Sequence, residues 1–211
     1  MPANRIHLVR HGEVHNPGGV LYGRLPHFRL SERGHEMAEL AAQELKSQGV
    51  KIGAVYVSPL LRTQESGAHI EKLFGLDAKT DERLIEPYNI FEGRKLSART
   101  IAIRPHLAYH LRNPYSPSWG ESYVAIVARM LEAINELAAK TDGGDLVLVT
   151  HQLPIWVTHR QVEGLKLAHN PSKRRCALSS ITTFELTDNG LVEVGYVSPA
   201  ESLLSVDKGA V

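Results

Sequence analysis

The sequence predicts an α/β fold of three layers: a mostly parallel central sheet between helices, with an antiparallel hairpin near one edge. Three observations carry that prediction. Short β-branched and apolar runs at residues 5–9, 54–57 and 145–150 alternate with segments of helical period. The run Asp145-Leu-Val-Leu-Val-Thr150 is apolar at successive positions, the pattern of a strand covered on both faces. Near the C-terminus Asp188-Asn189-Gly190 separates residues 180–186 from 191–196, a hairpin signal because Asn and Gly tolerate positive φ. With 211 residues and no internal repeat, low-complexity tract or linker, residues 1–211 read as a single domain.

Each element follows from local chemistry. Residues 5–9 form a strand that stops at a polar cluster, Arg10-His11-Gly12-Glu13. Pro17, Gly18, Gly19, Gly23 and Pro26 keep the connection to Leu30 irregular. Ser31 caps the next helix, whose Met37, Ala38, Ala41, Ala42 and Leu45 recur at helical spacing until Gly49 stops it. A second strand at 54–57 leads through Ser58-Pro59 into a helix over 60–74, ended by Gly75. Residues 81–97, charged and containing Pro87, Asn89 and Gly93, lack a period and read as a loop. A helix broken by Pro105 is expected over 98–111, then a loop over 113–120. The clearest helix spans 122–140, with Val127, Met130, Leu131, Ile134, Leu137 and Ala138 on one face. Gly143-Gly144 introduces the 145–150 strand, which ends at His151, and another helix starts near Pro154. The tail beyond Pro199 is weakly patterned.

Composition narrows the function. Twenty-four Lys and Arg against 23 Asp and Glu leave a charge of +1, so neither a nucleic acid nor an anionic membrane is an expected partner. The single cysteine, Cys176, cannot form an internal disulfide, which argues against a secreted disulfide scaffold. The first ten residues contain no signal-peptide core, and no stretch approaches the roughly 20 apolar residues of a membrane span. A cytoplasmic protein is expected. Eleven histidines are the unusual count, and position decides which of them carry chemistry.

His11 and His151 each directly follow a short apolar strand. The carboxyl ends of strands form the ligand crevice in open α/β sheets, so neighbouring strands bring both imidazoles to one place. Arg10 adjoins His11, and Arg62 lies early in the helix after the second strand. Two guanidiniums and two imidazoles without matching carboxylates suit a dianion, and the planar Arg fork fits phosphate oxygens. The same charges repel a cation, and neither histidine belongs to a His-Glu-x-x-His motif, so no metal or other cofactor is expected. His11, kept unprotonated by the arginines, is a candidate nucleophile toward phosphorus. Glu86 is the candidate general acid for the leaving oxygen, its pKa raised beside bound phosphate.

Val9-Arg10-His11-Gly12-Glu13 resembles the Arg-His-Gly signature of the histidine phosphatase superfamily, which includes cofactor-dependent phosphoglycerate mutases and many phosphatases. Leu30-Ser-Glu-Arg-Gly34 is similar to that family's Leu-Thr-x-x-Gly helix start, and Ser58-Pro-Leu-x-Arg62-Thr63 is a further match. Leu84-Ile-Glu86 precedes Phe91-Glu92-Gly93, and Val147-Leu-Val-Thr-His151 resembles the strand of the second histidine. These matches keep the family's order over residues 5–186. The resemblance implies a phosphoglycerate-mutase-like fold and a phosphohistidine at His11, with the phosphoryl group held by Arg10, Arg62 and His151. It also implies that Glu86 protonates the leaving oxygen and then assists the attacking water. The sequence departs from the pattern at several points. Val14 stands where Thr or Ser is usual, and Asn16, the candidate phosphate ligand of the loop, lies five residues after the histidine instead of six. The spacing from Glu86 to Glu92-Gly93 is one residue short and lacks the usual glycine, which leaves Glu82 as an alternative acid. Gln152 replaces a common Gly and brings an amide to the pocket mouth.

The expected function is therefore a metal-independent phosphatase for a small phosphorylated metabolite. Arg10, His11, Arg62, Glu86 and His151 form its machinery, and Asn16, Tyr22, Gly23, Arg24 and Gln152 are further phosphate or substrate contacts. A phosphoglycerate mutase is the alternative within the family, against which stands the short interval between Glu86 and His151. A non-catalytic phospholigand-binding module and a metal-dependent hydrolase are alternatives from other classes. Arg24, Arg29, Arg94 and Lys95 either point to an additional anionic group on the substrate or face water. Taken singly, His106 and His110 have the i, i+4 spacing of a metal pair but no third ligand nearby. His15, His27, His35, His69, His159 and His169 read as surface or loop residues, with His15 and His27 near enough to the nucleophile loop to touch substrate. Cys176 reads as a buried thiol and Lys173-Arg174-Arg175 as a solvated turn.

Overall fold

A computed structural model describes residues 3–95 and 120–204. The helix expected over 98–111, with Pro105, His106 and His110, lies outside the described residues. Six strands, β1 (Arg5–Arg10), β2 (Ile52–Val57), β3 (Lys79–Thr80), β4 (Asp145–Thr150), β5 (Ile181–Thr187) and β6 (Gly190–Val197), form one sheet in the order β3-β2-β4-β1-β5-β6. The first four in that order are parallel, and β5 and β6 complete the other edge in antiparallel pairing. Among the described residues four α-helices cover the sheet: α1 (Glu32–Ser47), α2 (Leu61–Phe74), α3 (Tyr123–Lys140) and α4 (Gln152–Val162). The mostly parallel α/β sheet with a hairpin at one edge is the class the sequence predicts. No helix among the described residues is long and apolar enough to cross a membrane.

The period-2 alternation of strands sorts the core into two layers. Ile6 and Leu8 of β1 and Leu146 and Leu148 of β4 meet Met130 and Ile134 of α3 and Ile155 of α4. Val9, Val147 and Val149 face the other way, onto Ala41, Ala42 and Leu45 of α1 and Ile70 of α2. β4 is therefore apolar at successive positions because both its faces are covered.

Element boundaries shift where backbone pairing outruns side-chain pattern. β1 continues through Arg10, whose N–H donates to the Ser180 carbonyl at 3.0 Å. β3 is two exposed residues, too short for a periodic signal to mark it. In the hairpin Thr187 pairs with Gly190, leaving Asp188-Asn189 as a two-residue loop, and Gly190 has φ 107°.

The loop after β1 is fastened to the start of α1. Ser31 accepts from the Gly34 N–H at 3.0 Å as the helix cap, and its hydroxyl donates to Glu13 Oε1 at 2.7 Å. Backbone meets backbone beside it: a Cβ on Gly12 would lie 2.2 Å from the Gly34 carbonyl oxygen, and one on Gly34 would lie 2.0 Å from the Glu13 carbonyl oxygen. Both glycines are thus required by contact. Gly34→Ala is expected to destabilise the fold by about 1–3 kcal/mol through overpacking. That corresponds to a thermal midpoint lower by roughly 3–10 °C for a domain of this size. Thermal denaturation of the variant checks it, and an unchanged midpoint would mean that the loop does not rest on α1.

Candidate active site

β1 and β4 pair residue for residue up to Arg10 opposite Thr150. The next residues, His11 and His151, consequently leave the sheet side by side, with ring centroids 5.2 Å apart at 63°. Both imidazoles are buried. His11 Nδ1 lies 2.7 Å from the Gly12 carbonyl oxygen. A carbonyl can only accept, so Nδ1 carries the proton and Nε2 keeps its lone pair. His151 Nε2 lies 2.8 Å from Ser58 Oγ, and its Nδ1 is 3.9 Å from Glu86 Oε2. Among the described residues neither that Nδ1 nor Glu86 Oε2 has a hydrogen-bond partner, although both are buried.

Arg10 ends β1 and Arg62 lies in the first turn of α2; each is 1% exposed. Arg10 Nη1 donates to the Cys176 carbonyl at 2.5 Å, and Arg62 Nη2 to the Gly23 carbonyl at 2.7 Å. The Arg62 guanidinium also sits 4.8 Å from the centre of the Tyr22 ring, a cation–π contact. Carbonyls and a ring face orient these groups. Ser66 joins the pieces, accepting from the Gly12 N–H at 3.1 Å and donating to the Arg62 carbonyl at 2.7 Å.

These positions dictate protonation. Burial, followed by repulsion from Arg62 and Arg10, holds His11 well below the usual imidazole range. Burial, Arg62 and then His11 do the same to His151. Burial pushes the Glu86 carboxyl up, against the pull of Arg62, Arg174 and Arg10. Neutral imidazoles and an acid biased toward its neutral form beside two buried cations make a site for an anion.

A cavity of about 250 Å³ opens over this cluster. Arg10, His11, Tyr22, Gly23, Arg62, Glu86 and Gln152, all expected at the site, line it. His151 lies behind that surface, against the His11 ring and near Glu86. Of the two candidate acids, Glu86 lines the cavity, whereas Glu82 is exposed and outside it. Asn16, expected as a phosphate ligand, instead brackets Val20: its Nδ2 donates to the Val20 carbonyl at 2.8 Å and its Oδ1 accepts from the Val20 N–H at 3.2 Å. Arg24, expected at the substrate, instead supports the wall, with Nε donating to the Glu86 carbonyl at 2.5 Å and Nη2 3.4 Å from Glu121 Oε2. Arg29, Arg94, Lys95, His15 and His27 do not line the cavity.

The residue that the sequence reading missed is Arg174. Lys173 and Arg175 are exposed as a solvated turn requires, but Arg174 is half-buried and lines the cavity. Its position alternates with buried Cys176 on the approach to β5, a strand-like signal that two flanking basic residues obscure. Cys176 is a buried thiol, pushed up to about 11 by burial. His169, expected at the surface, is buried and packs against Tyr123, with ring centroids 5.2 Å apart. His159 stacks on Trp156 at 4.7 Å. Among the described residues no group of three or more His, Cys, Asp or Glu could hold a metal ion.

The fold and the site together define an α/β domain with a histidine-centred anion pocket at the carboxyl end of its sheet. Residues 6–198 match the model of the histidine phosphatase superfamily (branch 1), and the chain belongs to that superfamily. It is 45% identical over 197 residues to the uncharacterized protein Rv0525 of Mycobacterium tuberculosis, covering 93% of this chain and 96% of that one. It is 34% identical over 151 residues to a 2,3-bisphosphoglycerate-dependent phosphoglycerate mutase of Thermoplasma acidophilum, covering 70% of each. Among solved structures, Bacillus stearothermophilus YhfR aligns with a TM-score of 0.80 at 25% identity, covering 94% of this chain and 100% of that one. The mycobacterial glucosyl-3-phosphoglycerate phosphatase Rv2419c with VO3 aligns with a TM-score of 0.73 at 25% identity, covering 91% and 97%. The superfamily relatives thus include both phosphatases and mutases.

The buried histidines make stability depend on pH. His11 and His151 are held well below their usual pKa, and His169 is lowered to about 4, by burial first in each case. An unfolded chain protonates these imidazoles near pH 6.5 while the folded chain does not. Stability is therefore full above that pH and falls as pH drops below it. Glu86, raised by burial, contributes in the opposite direction but is one group against these three and against His7 and His69, which burial lowers as well. The urea midpoint is expected to fall between pH 7.5 and pH 5.5 in phosphate-free buffer; a midpoint that rises over that interval contradicts the assignment.

Proposed function

We propose that this chain is a cytoplasmic, metal-independent phosphatase that hydrolyses a small phosphomonoester through a phosphohistidine on His11. The observation that supports it most directly is the His11 tautomer: Nδ1 is committed to the Gly12 carbonyl, so the lone pair is on Nε2. Arg10 and Arg62 hold the equatorial phosphoryl oxygens and stabilise the charge that spreads over them in the transition state. In this reading Ser58, 2.8 Å from His151 Nε2, is the donor of the hydrogen bond between them, so that the imidazole proton is on Nδ1 and serves a further phosphoryl oxygen.

In the first half-reaction His11 Nε2 forms the bond to phosphorus as the ester P–O bond breaks, and the Glu86 proton goes to the departing oxygen. In the second, the Glu86 carboxylate takes a proton from water, whose oxygen attacks phosphorus. The P–N bond breaks, phosphate leaves, and both groups return to their starting forms. A carboxyl biased toward its neutral form is suited to the first step, and its ionised product to the second. Tyr22, Gly23 and Gln152 contact the substrate, while Asn16 and Arg24 shape the loop that presents Tyr22 and Gly23.

A mutase is the second reading, favoured by the 34% identity to the Thermoplasma acidophilum enzyme. A retained phosphoenzyme would then transfer its group to a second hydroxyl instead of water. Assaying conversion of 3-phosphoglycerate to 2-phosphoglycerate separates the two, since isomerisation that requires a bisphosphoglycerate primer would overturn hydrolysis as the main activity.

His11→Ala is expected to lower turnover of 4-nitrophenyl phosphate by roughly three orders of magnitude or more. It should also abolish the acid-labile, alkali-stable phosphoenzyme seen after rapid quench of the unaltered protein. Undiminished turnover in the variant sinks the mechanism, and phosphate binding without any phosphoenzyme would favour a non-catalytic binding module. Glu86→Gln should slow alkyl phosphates by about 10²–10⁴, the usual worth of a general acid. Its effect on 4-nitrophenyl phosphate should be much smaller, because nitrophenolate leaves without a proton. Equal losses on both would remove Glu86 from the proton-donor role.

A further inference from the structure

The charge of the cavity exceeds what one phosphoryl group requires. Arg10 and Arg62 match a phosphate dianion, yet Arg174 brings a third guanidinium to the same cavity. Its Nε donates to His169 Nε2 at 2.9 Å, and its Nη1 donates to Gln152 Oε1 at 3.2 Å. His169 can accept there because its Nδ1–H is spent on the Leu167 carbonyl at 2.7 Å. A further hydrogen bond joins Arg174 to Tyr123. All three partners are neutral, and among the described residues no carboxylate forms an ion pair with Arg174. Glu121, the other acid on the cavity wall, is taken by Arg129 at 2.8 Å and by Arg24 at 3.4 Å. Residues 96–119, which precede the cavity residue Gly120, contain no Asp or Glu to serve instead.

Arg174 is held as firmly as a binding residue should be. The imidazole that supports it is itself packed against Tyr123 and Trp156, and Gln152 opens α4 directly after His151. With its oxygen turned to Arg174, Gln152 keeps its NH₂ as a donor beside the guanidinium. Of the arginines around Glu86, Arg62 acts most strongly on its carboxyl and Arg174 next, ahead of Arg10. The third cation therefore lines the same cavity as Glu86 and acts on its carboxyl.

We propose that Arg174 and Gln152 form a subsite for a carboxylate on the leaving group, so that the preferred substrate is a phosphomonoester bearing a second anion. One guanidinium assisted by a neutral amide suits a monoanion; a second phosphate dianion calls for the two-arginine arrangement already present at Arg10 and Arg62. Tyr88, Phe91, Tyr123, Leu153 and Pro171 line the same cavity and supply an apolar surface for the carbon skeleton between the two anions. The inference rests on the phosphatase reading for its chemistry, but its binding arm can be tested without turnover.

The test compares phenyl phosphate with 3-carboxyphenyl and 4-carboxyphenyl phosphate, and glycerol 3-phosphate with 3-phosphoglycerate, at constant ionic strength. The unaltered protein is expected to favour the carboxylated member of at least one pair by about tenfold or more in kcat/KM, the worth of one charge-assisted hydrogen bond. Arg174→Gln should bring that ratio close to one, and Arg174→Lys should retain part of it. A merely structural role for Arg174 would lower both members alike and leave the ratio standing. A ratio near one in the unaltered protein, or one that survives in Arg174→Gln, overturns the subsite. Calorimetry on His11→Ala, with and without Arg174→Gln, measures the same preference as binding. If nothing is turned over but the preference in binding persists and depends on Arg174, hydrolysis fails and the subsite stands. If turnover depends on His11 but shows no preference, the subsite fails and hydrolysis stands.

Discussion

The burial of two guanidiniums, Arg10 and Arg62, is the constraint from which the rest of the site follows. Moving a formal charge into the interior costs several kcal/mol even after the surroundings relax. The carbonyls of Cys176 and Gly23 and the face of Tyr22 offset part of that cost. A bound anion would offset more of it, so the proposed function couples affinity for phosphate to stability of the fold through the same two side chains. The neighbours comply with the field: His11 and His151 stay neutral, and burial biases Glu86 toward its neutral form. Residues that in water would be partly or fully charged are thereby biased toward the neutral forms that the proposed mechanism uses.

The sheet makes that arrangement reproducible. Parallel pairing of β1 with β4 delivers the two histidines together without any contact between their side chains being needed to bring them there. α2 follows β2, on the other side of β4, and brings Arg62 to the same end from its first turn. Ser66, one turn further on, reaches the Gly12 N–H, so helix and nucleophile loop are set against each other by one hydroxyl. The hairpin edge contributes as well: Ser180, at the foot of β5, accepts from the Arg10 N–H and steadies the last residue of β1.

Much of this was legible in the sequence, for identifiable reasons. The strand before His151 announces itself by uninterrupted apolar residues and the one before His11 by Ile6, Leu8 and Val9 around His7, and Ser31 with Gly49 brackets α1. Arg10, His11 and Arg62 could be named because each stands next to a strand end or a helix start, and Glu86, in a loop without a period, because a leaving oxygen needs an acid and Leu84-Ile-Glu86 fits the pattern. Asn16 and Arg24 were harder. Their side chains are consumed by backbone groups of Val20 and Glu86 that loop geometry alone brings within reach. Arg174 was obscured for the opposite reason: Lys173 and Arg175 give it the look of a solvated turn, while its inward course depends on His169, five residues earlier. Contacts that follow the sheet can be read from pattern; contacts between loops depend on where tertiary structure places them.

The contact between Gly12 and Gly34 bears on motion at the reacting atom. A side chain pressed by its surroundings can change rotamer, but two stretches of main chain in contact have no such freedom. The peptide that carries His11 is therefore braced by the whole length of a sixteen-residue helix, not by the few residues of its own loop. His11 can shift away from the cavity only to the extent that α1 yields with it. The opposite wall, around Glu86 and Arg174, is held by side chains instead: Arg24 on the Glu86 carbonyl, and His169 and Gln152 on Arg174. The cavity thus has one wall set by main chain against main chain and one set by side-chain hydrogen bonds, and only the second can be reshaped by a change of rotamer.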